Sequence, residues 1–231
     1  MKLLRYKAGD QIRPGILDKA GNIRDLSGIV PDIDADAVSS EPIIFMKAPT
    51  AYNAPNGPVV KPPHSTKLDW EAELCVYIGK RASYVSEDEA LDHVAGYAVG
   101  NDVSEREFQQ ERPGGQWTKG KSPDGFAPVG PWLVTKDEVP NPEGLKIWLK
   151  VNGEFMQNGS TDKLIFGVKK IVSFVSEYMT LLPGDVIMTG TPPGVGAGMK
   201  PQKWLNPGDV VEVGIEGLGE QRQEIIAWSR D

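Results

Sequence analysis

The stretch that decides the fold is DWEAELCVYI, residues Asp69–Ile78. Its acidic residues, Asp69, Glu71 and Glu73, occupy alternate positions, and Trp70 begins the apolar set between them. A period of two is typical of a β-strand, whose side chains point alternately to the two faces of a sheet. The pattern therefore predicts a strand with carboxylates on one face and apolar side chains on the other.

Turn-forming residues punctuate the rest of the chain, with 26 glycines and 19 prolines among 231 residues. Long helices do not tolerate that density, whereas short strands joined by turns do. The fold class we predict is mostly β, of the α+β type. Further strands are predicted at Met1–Tyr6, Arg13–Leu17, Ile43–Met46, Ala95–Val99, Gly130–Val134, Leu145–Val151, Glu154–Ser160, Val186–Thr189, Val210–Ile215 and Glu224–Trp228. Helices are predicted at Ser86–Val94, in a short segment beginning at Ser104, and at Gly167–Tyr178.

The chain is expected to contain a small N-terminal domain, residues 1–40, and a main domain, residues 41–231. In the first part, a turn at Gly21-Asn22 follows two short strands. Asp32–Ala37 then reads as the end of a short helix or as a linker. The composition changes at Ser39-Ser40-Glu41-Pro42, where we place the boundary.

The composition excludes several classes of protein. Apolar residues make up 39% and charged residues 25%, as in globular chains. No apolar run approaches the ~20 residues of a membrane span, and the N-terminus lacks a signal-peptide core. A net charge of −7 argues against a nucleic-acid partner. A single cysteine, Cys75, forms no intrachain disulfide, so we expect a cytoplasmic protein.

Three carboxylates suggest a metal site. Glu71 and Glu73 share one strand face, and Asp102 lies where a later strand gives way to a helix. Carboxylate oxygens suit a hard cation such as Mg²⁺, Mn²⁺ or Ca²⁺, and a chain with two histidines and one cysteine offers no zinc set. The alternative is a solvated strand face, the usual fate of alternating acids.

Other polar residues follow in positions suited to an anionic substrate. Arg106 and Gln109 are neighbours on one helix face, where they would grip a carboxylate or carbonyl. Lys121 lies in a loop rich in proline and glycine that would fix its charge near the metal. The loop Thr189–Gly196 offers backbone N–H groups and two hydroxyls, Thr191 among them, as a cradle for a carboxylate. Considered singly, each of these residues and loops is also typical of an ordinary protein surface or turn.

Four motifs in fixed order resemble the fumarylacetoacetate hydrolase family. The resemblance covers the chain from about Glu41 to its C-terminus. The motifs are Glu71-Ala72-Glu73-Leu74, Gly100-Asn101-Asp102-Val103-Ser104-Glu105-Arg106, Lys121-Ser122-Pro123-Asp124 and Thr189-Gly190-Thr191-Pro192-Pro193-Gly194-Val195. The resemblance implies a mixed β-roll or sandwich core with a small N-terminal domain, a homodimer and a bound Mg²⁺ or Mn²⁺.

The resemblance also assigns roles to residues. It makes Glu71, Glu73 and Asp102 the metal ligands and Lys121 the catalytic lysine that stabilises developing charge. Substrate contacts fall to the remaining three positions: Arg106, Gln109 and Thr191. The implied substrate is a small 2-oxo or 2,4-dioxo carboxylate of the acylpyruvate type. Hydrolysis of a C–C bond would give a pyruvate-like product.

One departure from the family keeps other activities open. Hydrolytic members carry a Gly-Leu-Asn-Tyr-x-x-His stretch with a mobile lid, whose histidine activates water. Here Ser39-Ser40 runs directly into Glu41-Pro42. Either the chain lacks that base or a segment between Ser40 and Glu41 is missing from the sequence. Without the base, decarboxylation of a β-keto acid or isomerisation of a 2-hydroxydienoate fits better, and a non-catalytic metal-binding remnant is the third reading.

Overall fold

The computed structural model of the chain describes residues 2–8, 11–17, 23–25 and 40–230. The chain divides into two compact units, Met1–Ile43 and Ile44–Asp231. In the first unit, β1 (Lys2–Ala8), β2 (Gln11–Leu17) and β3 (Ile23–Asp25) form an antiparallel sheet in that order. The Gly21-Asn22 turn and the Asp32–Ala37 segment lie outside the described residues.

The second unit is built from short strands, as the density of turn residues predicts. In the part of the chain that the structure describes, its strands are β4 (Tyr52–Asn53), β5 (Val59–Lys61), β6 (Leu68–Asp69), β7 (Ala72–Ile78), β8 (Val94–Asn101), β9 (Ser104–Glu105), β10 (Ala127–Pro128), β11 (Val134–Thr135), β12 (Lys146–Val151), β13 (Glu154–Ser160), β14 (Val186–Met188), β15 (Val210–Ile215) and β16 (Gly219–Ala227). Its α-helices are α1 (Thr118–Lys121) and α2 (Val168–Tyr178).

Two larger sheets enclose the core of this unit. One has the strand order β11-β8-β7-β14, and the other has the order β13-β12-β15-β16-β5. Leu74 of β7, Val99 of β8, Leu149 of β12 and Val213 of β15 belong to one buried apolar cluster. The prediction of a mostly β fold with a sandwich-like core is confirmed. Among the described residues, no helix is long and apolar enough to cross a membrane.

Two local predictions are confirmed in detail. Helix α2 begins after Gly167 and buries Ile171, Val172 and Val175, which recur at helical spacing. The hairpin between β12 and β13 turns at Asn152-Gly153, where both residues have positive φ, 52° and 81°. Such values are those of a tight hairpin turn, which asparagine and glycine tolerate best.

Three predicted elements are wrong. The helix predicted at Ser86–Val94 is only a 3₁₀ turn at Ala90–His93, because pairing with β7 extends strand β8 from Val94. Of the strand predicted at Gly130–Val134, only its last residue lies in a strand, β11. The segment Ile43–Met46 forms no strand, and its two end residues are 61% and 63% exposed. After it, the backbone N–H of Ala48 binds the Ser122 hydroxyl, so a side chain fastens this segment where sheet pairing was expected.

The strand predicted at Asp69–Ile78 differs from its prediction in two respects. It is interrupted at Trp70 and Glu71, which separate β6 from β7. Both of its faces are buried, since Glu71 and Glu73 are only 7% and 3% exposed. The alternative of a solvated acidic face is therefore wrong.

Candidate active site

The predicted carboxylates meet at one end of the β7–β8 pair. Glu71 precedes β7, Glu73 lies in it, and Asp102 directly follows β8. The strands are antiparallel, so the start of β7 lies beside the end of β8, and the Asp102 N–H binds the Glu71 carbonyl at 2.9 Å. One oxygen from each carboxylate lies within 4.8 Å of the others. All three side chains are buried.

A chain of buried amides holds Glu71 where the strand is interrupted. The Asn101 side-chain oxygen accepts the Glu71 backbone N–H at 3.1 Å, and its amide nitrogen donates to Gln223 Oε1 at 3.1 Å. Gln223 in turn donates to the Pro55 carbonyl at 2.6 Å and to Gln221 Oε1 at 2.8 Å. These contacts fix the backbone from which Glu71 projects.

Two lysines neutralise the carboxylates. Lys121 Nζ lies 2.7 Å from Glu71 Oε2 and 2.7 Å from Asp102 Oδ2. Lys47 Nζ lies 2.7 Å from Asp102 Oδ1 and donates to the Val103 carbonyl at 3.1 Å and to the Lys121 carbonyl. The site thus includes Lys121, as predicted, but on the last turn of α1 and not in an extended loop.

Arg106 and Gln109 lie in the same cluster. The Arg106 guanidinium contacts Asp69 Oδ2 at 2.8 Å, Glu71 Oε1 at 2.7 Å and Gln109 Oε1 at 3.1 Å. The helix predicted from Ser104 is a π-helical turn, Glu107–Glu111. Ser104 does not cap it, because its hydroxyl donates to the Asp102 carbonyl. Arg106 and Gln109 still face each other, and both are buried.

The loop after β14 does bind carboxylates, but they are the chain's own. The Gly190 N–H donates to Glu73 Oε2 at 2.7 Å. The Gly196 and Ala197 N–H groups donate to Asp69 at 2.7 and 3.0 Å. The Thr191 hydroxyl contacts the Ala72 carbonyl at 2.9 Å, between the two glutamates. These amides are therefore not free for a substrate carboxylate.

Burial and neighbouring charges shift the pKa values in opposite directions. Burial, with the Asp102 and Glu71 carboxylates next in effect, holds the pKa of Glu73 well above its ordinary value. Burial would also raise the pKa of Asp102, but Lys47 and Lys121 outweigh it and lower that pKa. Burial would lower the pKa of Lys121, but Asp102 and Glu71 outweigh it and raise that pKa. For Lys47 burial prevails over Asp102, and its pKa is lowered.

The donor set fits a hard divalent cation. It consists of three carboxylates, the ligands that Mg²⁺, Mn²⁺ and Ca²⁺ prefer. Asp102 Oδ1 is buried, and the Lys47 ammonium lies 2.7 Å from it. Burial and, after it, the Asp102 and Glu71 carboxylates raise the pKa of Glu73, and a bound cation would oppose that effect. The residues present therefore form a buried acidic site that could hold such an ion.

Neither histidine belongs to this cluster. His64 is exposed, and its backbone has a positive φ of 65°. His93 ends the 3₁₀ turn before β8, and its Nδ1 is buried without a hydrogen bond. In the described part of the chain, no hydrogen bond joins either ring to Glu71, Glu73 or Asp102.

Sequence reasoning missed three residues of this site. Lys47 follows an apolar run, and nothing in its spacing points to Asp102, 55 positions away. Asp69 shares the acidic face but serves Arg106 and two backbone amides instead of a metal. Gln157 comes from β13 and reaches Ala72 and Thr191. Gln157 is fully buried in β13, and this burial is visible only in the structure.

Comparison with known proteins gives consistent results. The model of the fumarylacetoacetate (FAA) hydrolase C-terminal family matches residues 18–226. The chain is 46% identical to 2,4-didehydro-3-deoxy-L-rhamnonate hydrolase of Sphingomonas sp. (strain SKA58), over 99% of this chain and 97% of that protein. That alignment runs over 277 positions, so at least 46 of them have no counterpart in a chain of 231 residues.

Solved structures agree with this match. The fumarylacetoacetate hydrolase of Exiguobacterium antarcticum is 33% identical with a TM-score of 0.76, over 99% of this chain and 100% of that one. The 2-hydroxyhepta-2,4-diene-1,7-dioate isomerase of Mycobacterium marinum is 39% identical with a TM-score of 0.75, over 83% of this chain and 71% of that one. The similarity thus includes proteins named for hydrolysis and for isomerisation.

Proposed function

Because the chain belongs to the fumarylacetoacetate hydrolase family and is an enzyme of its hydrolase and isomerase group, we propose that it is a metal-dependent hydrolase. Its substrate is a small 2,4-dioxo acid of the acylpyruvate type, and cleavage of a C–C bond leaves a pyruvate-like product. The cation is Mg²⁺, with Mn²⁺ or Ca²⁺ as alternatives. The observation that carries the proposal is the buried cluster of Glu71, Glu73 and Asp102.

The residues divide into three roles. Glu71, Glu73 and Asp102 would hold the cation, which when bound supplies a Lewis acid for the 2-oxo carboxylate. Lys121 would stabilise negative charge that develops on the substrate, since its ammonium is buried and fixed beside Glu71 and Asp102. The third role is contact with the acid end of the substrate, for which we propose Arg106, Gln109 and Thr191; the Thr191 hydroxyl would have to release the Ala72 carbonyl to make that contact.

Charge favours an anionic substrate. Lys47, Lys121 and Arg106 lie in contact with the acidic side chains Asp102, Glu71 and Asp69. A bound divalent ion would add an excess of positive charge to this cluster. A buried site with that excess attracts a carboxylate.

Product analysis tests the proposal. Purified protein with Mg²⁺ is expected to release pyruvate from an acylpyruvate, measured with coupled lactate dehydrogenase. Chelation of Mg²⁺ and Glu73→Gln should both abolish release. The matched control is Glu216→Gln, an exposed acid whose side chain is 57% accessible. Absence of pyruvate with Mg²⁺, Mn²⁺ and Ca²⁺ would contradict the hydrolase reading.

Decarboxylation or isomerisation is the second candidate. It is favoured by one observation: no histidine of the described residues contacts the acidic cluster, so no imidazole there activates water. This candidate predicts CO₂ from a β-keto acid such as oxaloacetate, or a shift in diene absorbance of a 2-hydroxydienoate, without cleavage into two acids. A third reading, a metal-binding protein without catalysis, predicts Mg²⁺ binding and none of these products.

The proposal also includes a homodimer in the cytoplasm, as the family resemblance implies. Light scattering after gel filtration tests the dimer, since one chain has a mass of 25.2 kDa. A mass near that of a single chain would contradict it.

A further inference from the structure

A glutamine from the opposite sheet contacts the strand of the acidic cluster. Gln157 lies in β13 and is fully buried. Its Oε1 accepts the backbone N–H of Ala72 at 2.9 Å. Its Nε2 donates to Thr191 Oγ1 at 2.8 Å and to the Pro192 carbonyl at 2.6 Å. One side chain therefore joins the residue between the two glutamates to the loop after β14.

The Gln157 and Thr191 contacts lie beside β7 at the point where its pairing with β14 has ended. Strand β14 pairs with β7 only as far as Met188, opposite Cys75. Beyond that point the chain leaves the sheet, and the Thr189 hydroxyl and N–H still reach the Leu74 carbonyl. At Ala72 the described residues offer no backbone partner on this side, and the Gln157 and Thr191 side chains bind its N–H and carbonyl instead.

The direction of each hydrogen bond is determined by chemistry. A backbone carbonyl only accepts, so the Thr191 hydroxyl gives its hydrogen to Ala72. An amide nitrogen only donates, so Gln157 supplies the hydrogen that Thr191 Oγ1 accepts. The amide orientation of Gln157 is itself fixed, because one end faces the Ala72 N–H and the other faces the Pro192 carbonyl.

The loop after β14 packs closely against β13, and this contact restricts its movement. A Cβ on Gly194, whose φ is +115°, would collide with the Met156 carbonyl. A Cβ on Gly159 would lie 2.9 Å from Pro192. Removal of the Gln157 amide would therefore take the buried partner from the Ala72 N–H and one of two partners from the Thr191 hydroxyl.

We propose that Gln157 is a positioning residue of the metal site. It holds the backbone between Glu71 and Glu73 and the Thr191 loop in one fixed arrangement, and through them it sets the geometry of the carboxylates. The inference rests on the proposed function, since it assumes that these carboxylates bind a cation.

Binding of Mn²⁺ alone, followed by electron paramagnetic resonance and calorimetry, tests it. Gln157→Met removes all three hydrogen bonds at nearly constant volume and is expected to weaken Mn²⁺ binding about 10- to 100-fold, as loss of outer-shell partners of metal ligands does. Thr161→Val is the matched control, because the Thr161 hydroxyl is also buried and also makes three hydrogen bonds, but to Gly144, Leu145 and Pro142. An affinity within about twofold of the parent in Gln157→Met would overturn the proposal.

A double-mutant cycle separates positioning from loss of stability. Thr191→Val removes the hydroxyl, and we expect its effect on Mn²⁺ affinity to be strongly non-additive with Gln157→Met, because both act on Ala72. Equal loss of Mn²⁺ affinity in Gln157→Met and Thr161→Val would mean that stability alone is affected, and would contradict the inference.

Hydrogen exchange of the metal-free protein distinguishes the two proposals. Gln157→Met, unlike Thr161→Val, is expected to speed amide exchange in residues 71–73 and 189–194. If the parent binds no Mn²⁺, the proposed function fails, and faster exchange would still support the positioning of these segments. Unchanged exchange would overturn the inference whether or not the metal binds.

Discussion

Lys121 and Asp102 form an ion pair inside the protein, with Nζ 2.7 Å from Oδ2 and each residue 1% exposed. The same ammonium contacts Glu71, and Lys47 contacts the other oxygen of Asp102. The carboxylates that would bind a cation are therefore already partly neutralised by the chain. This arrangement keeps Asp102 ionised, with a lowered pKa, despite its burial.

Replacement of Lys121 should separate catalysis from metal binding. Lys121→Met removes one buried counter-charge from Glu71 and Asp102, which keep Arg106 and Lys47 as partners, so we expect a loss of at most about 3–5 kcal/mol in the free energy of unfolding. Added Mg²⁺ should restore more stability in this variant than in the parent, because the site has become more negative. Turnover should fall by about 10²-fold or more, as expected for loss of one charge-stabilising group.

Thermal unfolding with and without Mg²⁺, together with pyruvate release, measures these effects. Lys119→Met is the control, since Lys119 lies on the same helix but is exposed. Full turnover in Lys121→Met would show that this lysine takes no part in catalysis.

Glu73 should make the metal-free protein less stable as the pH rises. Its folded pKa is raised above the ordinary value of 4.5, so its contribution to stability is complete below that pH and is lost as the pH rises through the folded pKa. Glu73→Gln keeps an acceptor for the Gly190 N–H but carries no charge. We therefore expect it to abolish metal binding and to flatten the fall in melting temperature as the pH rises above 4.5 in a chelator.

Melting curves of both proteins across that range provide the measurement. Asp102 does not contribute in this window, because its pKa is lowered from 3.8 and it is ionised throughout. A parent whose melting temperature stays level, or a variant with the same slope, would contradict the assignment.

The sequence predicts the acidic triad well because the triad is local. Glu71 and Glu73 lie two residues apart on one predicted strand, and Asp102 directly follows the strand that pairs with it. The alternation of side chains and the pairing of these two strands are therefore enough to predict the triad. Lys47 and Gln157 could not be predicted in the same way. Each reaches the site from a distant part of the chain, and only tertiary packing determines which carboxylate or amide it meets.

The wrong prediction of a helix at Ser86–Val94 has a similar cause. Ser86 and Glu89 do form one of the two hydrogen bonds of a capping box, since the Glu89 carboxylate accepts the Ser86 N–H at 3.1 Å, but the Ser86 hydroxyl donates to the same carboxylate at 2.6 Å. The helix still ends after one 3₁₀ turn, because β8 begins at Val94 and pairs with β7. Sheet pairing overrides the local signal here.

Gly120 should be required for the position of Lys121. A Cβ there would collide with the Glu105 carbonyl and lie 2.6 Å from Gln109 Cβ. Alanine normally favours a helix over glycine by about 1 kcal/mol, so a loss of stability in Gly120→Ala would report the clash. We expect a loss of about 1–3 kcal/mol and weaker turnover, measured by denaturant unfolding and product release.

The matched control is Gly198→Ala. Its Cβ would have Val195 at 3.8 Å as its nearest neighbour, and its φ is not positive. A Gly120→Ala variant as stable and active as Gly198→Ala would show that α1 can shift without moving Lys121 from the carboxylates.

Arg106 should not tolerate replacement by lysine. Its Nε contacts Asp69 at 2.8 Å, and its two terminal nitrogens contact Glu71 at 2.7 Å and Gln109 at 3.1 Å. A lysine carries one nitrogen and cannot reach three acceptors in different directions, so Arg106→Lys leaves at least one buried partner unsatisfied. We expect a loss of about 1–3 kcal/mol in the free energy of unfolding and a higher KM for an anionic substrate.

The control is Arg112→Lys, because the Arg112 side chain is 49% exposed and pairs with Glu107 at the surface. Denaturant unfolding and steady-state kinetics of both variants measure the two effects separately. If Arg106→Lys lost stability but kept its KM, Arg106 would hold Asp69 and Glu71 in place without contacting the substrate.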